Sequence, residues 1–401
     1  MTAALPVAVL GAGIMGSATA LHLTRRGVPV TLFDQEPVPF AGASRWNEGK
    51  IHLGFLYAAD PTLATARAVL DGGLDFCDQV RRLTGVDPAG AVTPHDDLYL
   101  VHRDSVVPCG AVRSYFDEVA ALVRSHPRAG RYPASLSGAR VVALSPAELG
   151  SLADRTSIVA GFRVPERSVD TNVVADAFVA ALTEARVEFR PGTRVTAVRP
   201  ADGDAWLVES DRGRHGPFSA VVNALWSGRP AVDRAAGFPA DRAPHHRYRV
   251  ALFVRADPAP VVPSAVVAVG PFGDLKNYGG GTFYLSWYPA GLLASAEAVS
   301  PPPVPLLDDR ERARIAAATF SHLGDLIPVA REIERTATRV RVAGGWVYAR
   351  GTGTLHDPGA ALHRRHRFGI RSRGTYHTVD TGKYSVAPTL AEEIARRITG
   401  E

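Results

Sequence analysis

Apolar residues run unbroken from Leu5 to Leu10 and stop at Gly11, which predicts a short buried strand. The spacing then becomes helical through Arg26, with Ala18, Leu21 and Leu23 among the apolar positions and Gly27 placed as a C-terminal cap. Val28 to Phe33 is apolar again and ends on Asp34, so the chain opens as a βαβ unit with parallel strands. Ala41 to Asp60 is rich in glycine, small and polar residues and reads as an extended loop ending in a short strand. Thr62 to Leu83 and Val173 to Ala185 return to helical spacing, whereas Asp87 to Arg155 is mixed and broken by Pro and Gly. Val187–Phe189, Arg194–Val198 and Trp206–Ser210 read as strands leading into Ala220–Ala224. His245 to Thr338 is an excursion rich in β-branched and aromatic residues, with Ala298–Pro305 as a loop inside it. Arg341–Tyr348 and His377–Val379 are strand-like, and a last helix over Pro388–Ile398 carries Leu390, Ala391, Ile394, Ala395 and Ile398 on one face.

Composition narrows the class. A chain of 401 residues suits two or three domains, and 46% hydrophobic with 21% charged residues is the balance of a globular protein in water. No run of about 18 apolar residues appears, so no membrane span is expected. The start of the chain has no basic segment of a cleaved signal, and two cysteines, Cys77 and Cys109, give no disulfide framework or zinc cluster. A cytoplasmic setting and no metal are the expectation. The net charge of +5 includes the basic segment His363–Arg373, but no recognised nucleic-acid module accompanies it, so a solvated or anion-facing loop is expected. Only three of the 45 basic residues are lysines: Lys50, Lys276 and Lys383. Lysine is a compact charge that can lose its proton when buried, so these three are candidates for chemistry.

The glycines of GAGIMG, Gly11, Gly13 and Gly16, fit G-x-G-x-x-G with a strand before and a helix after. The first permits a tight turn, the second admits a pyrophosphate to the backbone, and the third lets helix pack on strand. Asp34, 23 residues after Gly11 and followed by Gln35, is spaced to accept from a ribose hydroxyl. A dinucleotide site is the reading; a glycine-tight turn in another α/β fold is the alternative. In Gly270–Pro289, Tyr278, Tyr284, Trp287 and Tyr288 alternate with small and polar residues, as in a strand lining a cavity or, alternatively, a plain core strand.

Beyond the βαβ unit the chain enters GASRWNEGKIHLGFLYAAD, residues 42–60, instead of regular α/β alternation. Here the sequence resembles the D-amino acid oxidase-like superfamily of flavoproteins, which includes glycerol-3-phosphate dehydrogenases, 2-hydroxyglutarate oxidases and sarcosine-type oxidases. The matching residues are Ser44, Asn47, Ile51, His52 and Gly54. Gly161–Leu182, Val221–Gly228 and Val379–Pro388 resemble further family segments in the expected order. The resemblance implies FAD contacts from Gly11, Gly13, Gly16, Asp34, Gln35, Ser44, Arg45, Asn47, Val195, Asn223, Trp226, Gly382, Lys383 and Tyr384. It implies His52 and Lys383 at the flavin, with Lys276 a further catalytic candidate that activates oxygen or grips substrate. Tyr57, Tyr284, Trp287 and Arg350 are the substrate-side candidates. The family position for a substrate-binding arginine holds Val347, so Arg350 or Arg373 is expected to supply that charge. No cysteine follows Cys109, and Asn47 follows Trp46 where some members carry a flavin-linked histidine, which implies non-covalent FAD. Ser385 or a neighbour is expected to cap the last helix.

The expected fold is α/β, a Rossmann-like FAD-binding domain with a second, mainly β-sheet substrate domain and a chain that passes between them. Residues 1–85, 156–244 and 339–401 are assigned to the first, and 86–155 with 245–338 to the second. The other glycine clusters, at 279–281 and 351–353, lack a strand-turn-helix context, so no second nucleotide site is expected. The function implied is oxidation of a C–N or C–O bond in a small amine, amino acid or 2-hydroxy acid by hydride transfer to flavin, with oxygen or another carrier as acceptor. An NAD(P)-dependent dehydrogenase and a non-catalytic nucleotide-binding protein are the alternatives. Oligomeric state is not legible.

Overall fold

The computed structural model describes residues 5–239, 241 and 243–401. Val7–Leu10 lies at the centre of a six-stranded sheet, parallel to Val30–Phe33 on one side and to Ala220–Asn223 on the other. Glu188–Arg190 extends one edge in parallel, Tyr376–Asp380 the other, and Gly369–Arg373 closes it antiparallel. Side chains alternate across a strand. Val7 and Val9 face the cluster built with the helices Ile14–Thr24, Thr171–Glu184 and Ala387–Thr399, while Ala8 and Leu10 face Val198, Val208 and Phe218 of a three-stranded antiparallel layer. Both faces are covered, which is why these strands read as unbroken apolar runs.

A nine-stranded sheet forms the second layer. Its long strand Pro244–Ala256 pairs antiparallel with Ala337–Arg350 along its length, and with Leu292–Glu297 and Thr282–Trp287 on its other edge. Val250, Leu252, Phe283 and Leu285 pack under the helices Asp309–Leu326 and Ala330–Thr336, whereas Ala251, Tyr278 and Tyr284 point to the opposite face. Two strands assigned by sequence to the nucleotide-binding part, Ile158–Val164 and Ala337–Arg350, hydrogen-bond into this large sheet. The second was legible as a strand over Arg341–Tyr348 and the first was not, and spacing carries no information on which sheet a strand joins. The helices Cys109–Ser125 and Asp309–Leu326 were also not anticipated. Among the described residues no helix is long and apolar enough to cross a membrane.

Candidate active site

A continuous cavity of about 930 Å³ runs from the Gly11 turn, between the two sheets, to Lys383. Gly11 has φ +97°, and a Cβ there would lie 2.7 Å from the Ala224 carbonyl oxygen; one on Gly13 would lie 2.7 Å from Ser44 Oγ. A Cβ on Gly16 would collide with the Gly11 carbonyl, so the third glycine is what seats the helix on the strand. Asp34 accepts from the Ala12 amide at 2.6 Å and the Glu36 amide at 2.9 Å. Burial pushes its carboxyl up, and these backbone N–H groups oppose the shift. Ser44 Oγ accepts from Ile14 N at 3.0 Å, and Asn47 folds its own loop by donating to Ala43 O at 2.9 Å and accepting from Gly49 N at 2.8 Å. Gln35, Val195, Trp226, Gly382 and Tyr384 also line the cavity. The bare backbone at Gly11 and Gly13, with Asp34 at the end of the second strand, fits a dinucleotide such as FAD. Two expected contacts face elsewhere. Arg45 turns away to Asp176 at 2.7 Å, and Asn223 is buried behind the groove, donating to Asp233 at 2.9 Å and to the Arg229 carbonyl at 3.1 Å.

His52 lines the far half of the cavity and is 2% exposed. Its Nδ1 shares a 3.2 Å hydrogen bond with Tyr57 OH, and its amide donates to Ser385 Oγ at 3.2 Å. Ser385 therefore holds the His52 backbone and does not cap the last helix, whose N-terminal residue Val386 makes no side-chain cap. Burial, then the charges of Lys383 and Lys50, keep the imidazole well below its ordinary pKa, so it is neutral. Lys383 Nζ sits 5.3 Å from the Tyr57 ring centroid. Burial first, then Arg365, pull its pKa down to about 7, with Glu48 opposing.

The loop carrying His52 is fixed by a buried ion cluster. Lys50 and Lys276 each approach Asp97 Oδ2 at 2.6 Å, and Lys50 lies 3.4 Å from Glu166. Glu166 accepts from Leu53 N at 2.7 Å, Gly54 N at 3.3 Å and Tyr99 OH at 2.5 Å. Lys276 is thus wholly buried in this cluster and does not line the cavity. Trp287 lies on the helix-covered face of the large sheet, stacked on His322 with centroids 5.2 Å apart, while Tyr284 on the opposite face lines the cavity. Arg350 is drawn to Asp380 at 3.4 Å and Asp241 at 3.5 Å, outside the main cavity, and Arg373 reaches the Gly237 carbonyl at 3.2 Å. Besides Lys50, Lys383 and Arg194, the cations that line it are Arg249 and Arg365, joined by Glu48. Sequence reasoning missed all three. The alternation Arg247-Tyr248-Arg249 was the available signal, since it puts two arginines on one strand face.

A family model for FAD dependent oxidoreductases matches residues 6–397, and the chain belongs to that family. It is an FAD-dependent oxidoreductase, which decides against the NAD(P)-dependent and non-catalytic alternatives. The chain superposes on glycine oxidase from Geobacillus kaustophilus with a TM-score of 0.71 at 15% identity, covering 99% of this chain and 95% of that one. With L-alpha-glycerophosphate oxidase from Mycoplasma pneumoniae, solved with FAD bound, the TM-score is 0.62 at 14% identity, covering 99% and 95%. A 61-residue stretch is 46% identical to the tRNA 5-methylaminomethyl-2-thiouridine biosynthesis bifunctional protein of Marinobacter nauticus (strain ATCC 700491 / DSM 11845 / VT8); it spans 15% of this chain and 10% of that protein.

Proposed function

We propose that this protein oxidises a C–N or C–O bond of a small amine, amino acid or 2-hydroxy acid by hydride transfer to FAD, with oxygen or another carrier as final acceptor. The observation that carries the reading is one cavity joining the glycine turn and Asp34 at one end to His52, Lys383 and two arginines at the other. FAD, when bound, supplies the hydride acceptor. Asp34 would hold its ribose, and the Gly11–Gly13 backbone with Ser44 its pyrophosphate. At the far end Arg249 and Arg365 would bind a substrate carboxylate. In the tautomer whose Nδ1–H donates to Tyr57 OH, His52 Nε2 would accept a hydrogen bond from a substrate N–H or O–H; in the other, Nε2–H would donate to a substrate oxygen. Lys383, poised near neutrality, would hold or release a proton beside it. The large sheet would cover one side of the site, and the water displaced by bound substrate there would strengthen each of these contacts.

The flavin would be held without a covalent bond. Cys77 is buried in the helix Ala64–Thr84, Cys109 begins the helix Cys109–Ser125, and neither lines the cavity. Acid precipitation should leave the yellow cofactor in the supernatant; flavin retained on the precipitated chain refutes this. Function is tested by anaerobic mixing of holoenzyme with amino acids, N-methyl amines and 2-hydroxy acids. One of these classes should bleach the oxidised flavin. Bleaching by a pyridine nucleotide alone would overturn the reading.

A further inference from the structure

Buried cations in this protein are generally paired. Arg229 meets Asp233 at 2.6 Å, and Lys50 and Lys276 meet Asp97 at 2.6 Å. Four cations around the cavity are not. Among the described residues buried Arg247 and half-buried Arg249, Arg365 and Lys383 form no ion pair, although the last three line the substrate end of the cavity and Arg247 lies two residues from Arg249 on the same strand. Arg247 is buried and donates to Tyr288 OH at 2.9 Å, and the Arg249 guanidinium lies 4.4 Å from the centroid of the same ring. The Nε of each is buried and has no partner. Arg365 enters from another element, the segment before strand Gly369–Arg373, and its guanidinium donates to the Tyr348 carbonyl at 2.7 Å.

The carboxylates nearby are mostly spent elsewhere. Asp97 and Glu166 serve Lys50 and Lys276, and Asp241 and Asp380 serve Arg350. Asp274 is taken by the Ser286 hydroxyl at 2.5 Å, and burial pushes its carboxyl up, toward the neutral acid. Glu48 alone lines the cavity beside these cations. Lysine can shed its proton, but arginine cannot. Three arginines against one glutamate leave an excess of positive charge at this end of the cavity, and unpaired charge removed from water is strongly unfavourable.

Resting on the oxidoreductase reading above, we propose that the substrate carries two separated carboxylates, one held by Arg249 with Arg247 behind it and the other by Arg365. Such an amino- or hydroxy-dicarboxylate neutralises the surplus that a monocarboxylate leaves half unpaired. The reach of the arginines from two different elements favours two points of charge over one compact dianion such as a phosphate. Lys383 reports the same field. It is faced by Glu48 and His52 from the 42–54 loop, Tyr57 from the next turn, Arg247 and Arg249 from the long strand, and Arg365. Burial and Arg365 hold its pKa down, so binding of a dianion beside it should raise it.

The test is a titration of FAD-loaded enzyme, following perturbation of the oxidised-flavin spectrum, with malonate, succinate and glutarate against acetate, propionate and butyrate. Inorganic phosphate serves as the compact-dianion arm. One dicarboxylate should bind about tenfold or more tighter than any monocarboxylate, the worth of one charge-assisted contact. Arg365→Gln and Arg249→Gln should each reduce that preference to about twofold while leaving flavin content unchanged. Equal affinities for the two series, or perturbation by phosphate and not by dicarboxylates, would overturn the proposal; the wild-type series decides even if a variant fails to fold. Bleaching by a monocarboxylic amino acid with the dicarboxylates silent would leave the oxidoreductase reading standing and this inference refuted. Dicarboxylate binding without bleaching by any amine or hydroxy acid would do the reverse.

Discussion

Three side chains carry separable jobs that single substitutions can read. Asp34→Ala removes a carboxylate already satisfying two backbone amides and leaves Ala12 N and Glu36 N without it. The loss of a charge-assisted hydrogen bond, roughly 1.5–3 kcal/mol, should weaken FAD binding about ten- to hundredfold when apoprotein is titrated with the cofactor. His52→Ala should retain flavin but slow its reduction by substrate at least about tenfold, as read by stopped-flow absorbance. Its imidazole is held far below 6.5, so no inflection in the rate between pH 6 and 8 belongs to it. Lys383 does titrate there. It is protonated below about 7, and the protonated form is the one that attracts an anionic substrate, so kcat/KM should fall as pH rises through about 7. Lys383→Met should abolish that inflection, whereas His52→Ala should preserve it. The linkage sign is opposite for stability. Between about 7 and 10.5 the unfolded chain binds the lysine proton and the folded chain does not, so this residue makes the fold more stable as pH rises across that window. Comparing chemical denaturation of wild type and Lys383→Met at pH 7 and pH 10 measures it.

At the scale of elements, the helix Ala64–Thr84 owes its position to a pair of glycines. A Cβ on Gly73 would collide with the His52 carbonyl, and one on Gly72 would lie 2.7 Å from Val386 Cα. Bare backbone at these two residues lets the helix lie against both segments that carry His52 and Lys383. Gly73→Ala gains helix propensity of up to about 1 kcal/mol, yet the obstacle is backbone and cannot rotate away. A net loss of roughly 1–3 kcal/mol is expected in urea unfolding, together with slowed flavin reduction as His52 shifts. The ion cluster on the other side of the same loop is equally directive. Glu166→Ala leaves Leu53 N, Gly54 N and Tyr99 OH without their acceptor and takes from Lys50 one of its two carboxylates, which should cost about 3–5 kcal/mol. Helical spacing made the Ala64–Thr84 helix legible in the sequence, but the partners of its glycines lie on segments whose folding back cannot be read from spacing. The same holds for Ser385, read as a helix cap from its place before Pro388 and found holding the His52 amide.

At the scale of the whole molecule, the cavity lies between two sheets and is lined from both, so cofactor binding should consolidate the fold as one unit. FAD at one hundred times its dissociation constant adds about 2.7 kcal/mol to stability, which a melting curve of apoprotein against reconstituted protein would register as a single raised transition. A second transition unmoved by FAD would show that the large sheet folds independently of the site. The amino-acid sequence by itself determined the strand, glycine turn and acidic residue of the nucleotide end, because each depends on neighbours in the chain: an unbroken apolar run, a backbone that tolerates φ of +97° at Gly11, a fixed count to Asp34. It also marked the 42–54 loop, whose residues act together over ten positions. The substrate end was decided only by tertiary structure. Lys50, Asp97, Glu166 and Lys276 meet across more than two hundred residues of chain, and that meeting is what removes Lys276 from the cavity. Arg249 and Arg365 are two among many arginines, with nothing local to distinguish them. What sets them apart is that both line the cavity and, among the described residues, neither forms an ion pair, and only the packing of the large sheet against the flavin-binding layer creates that.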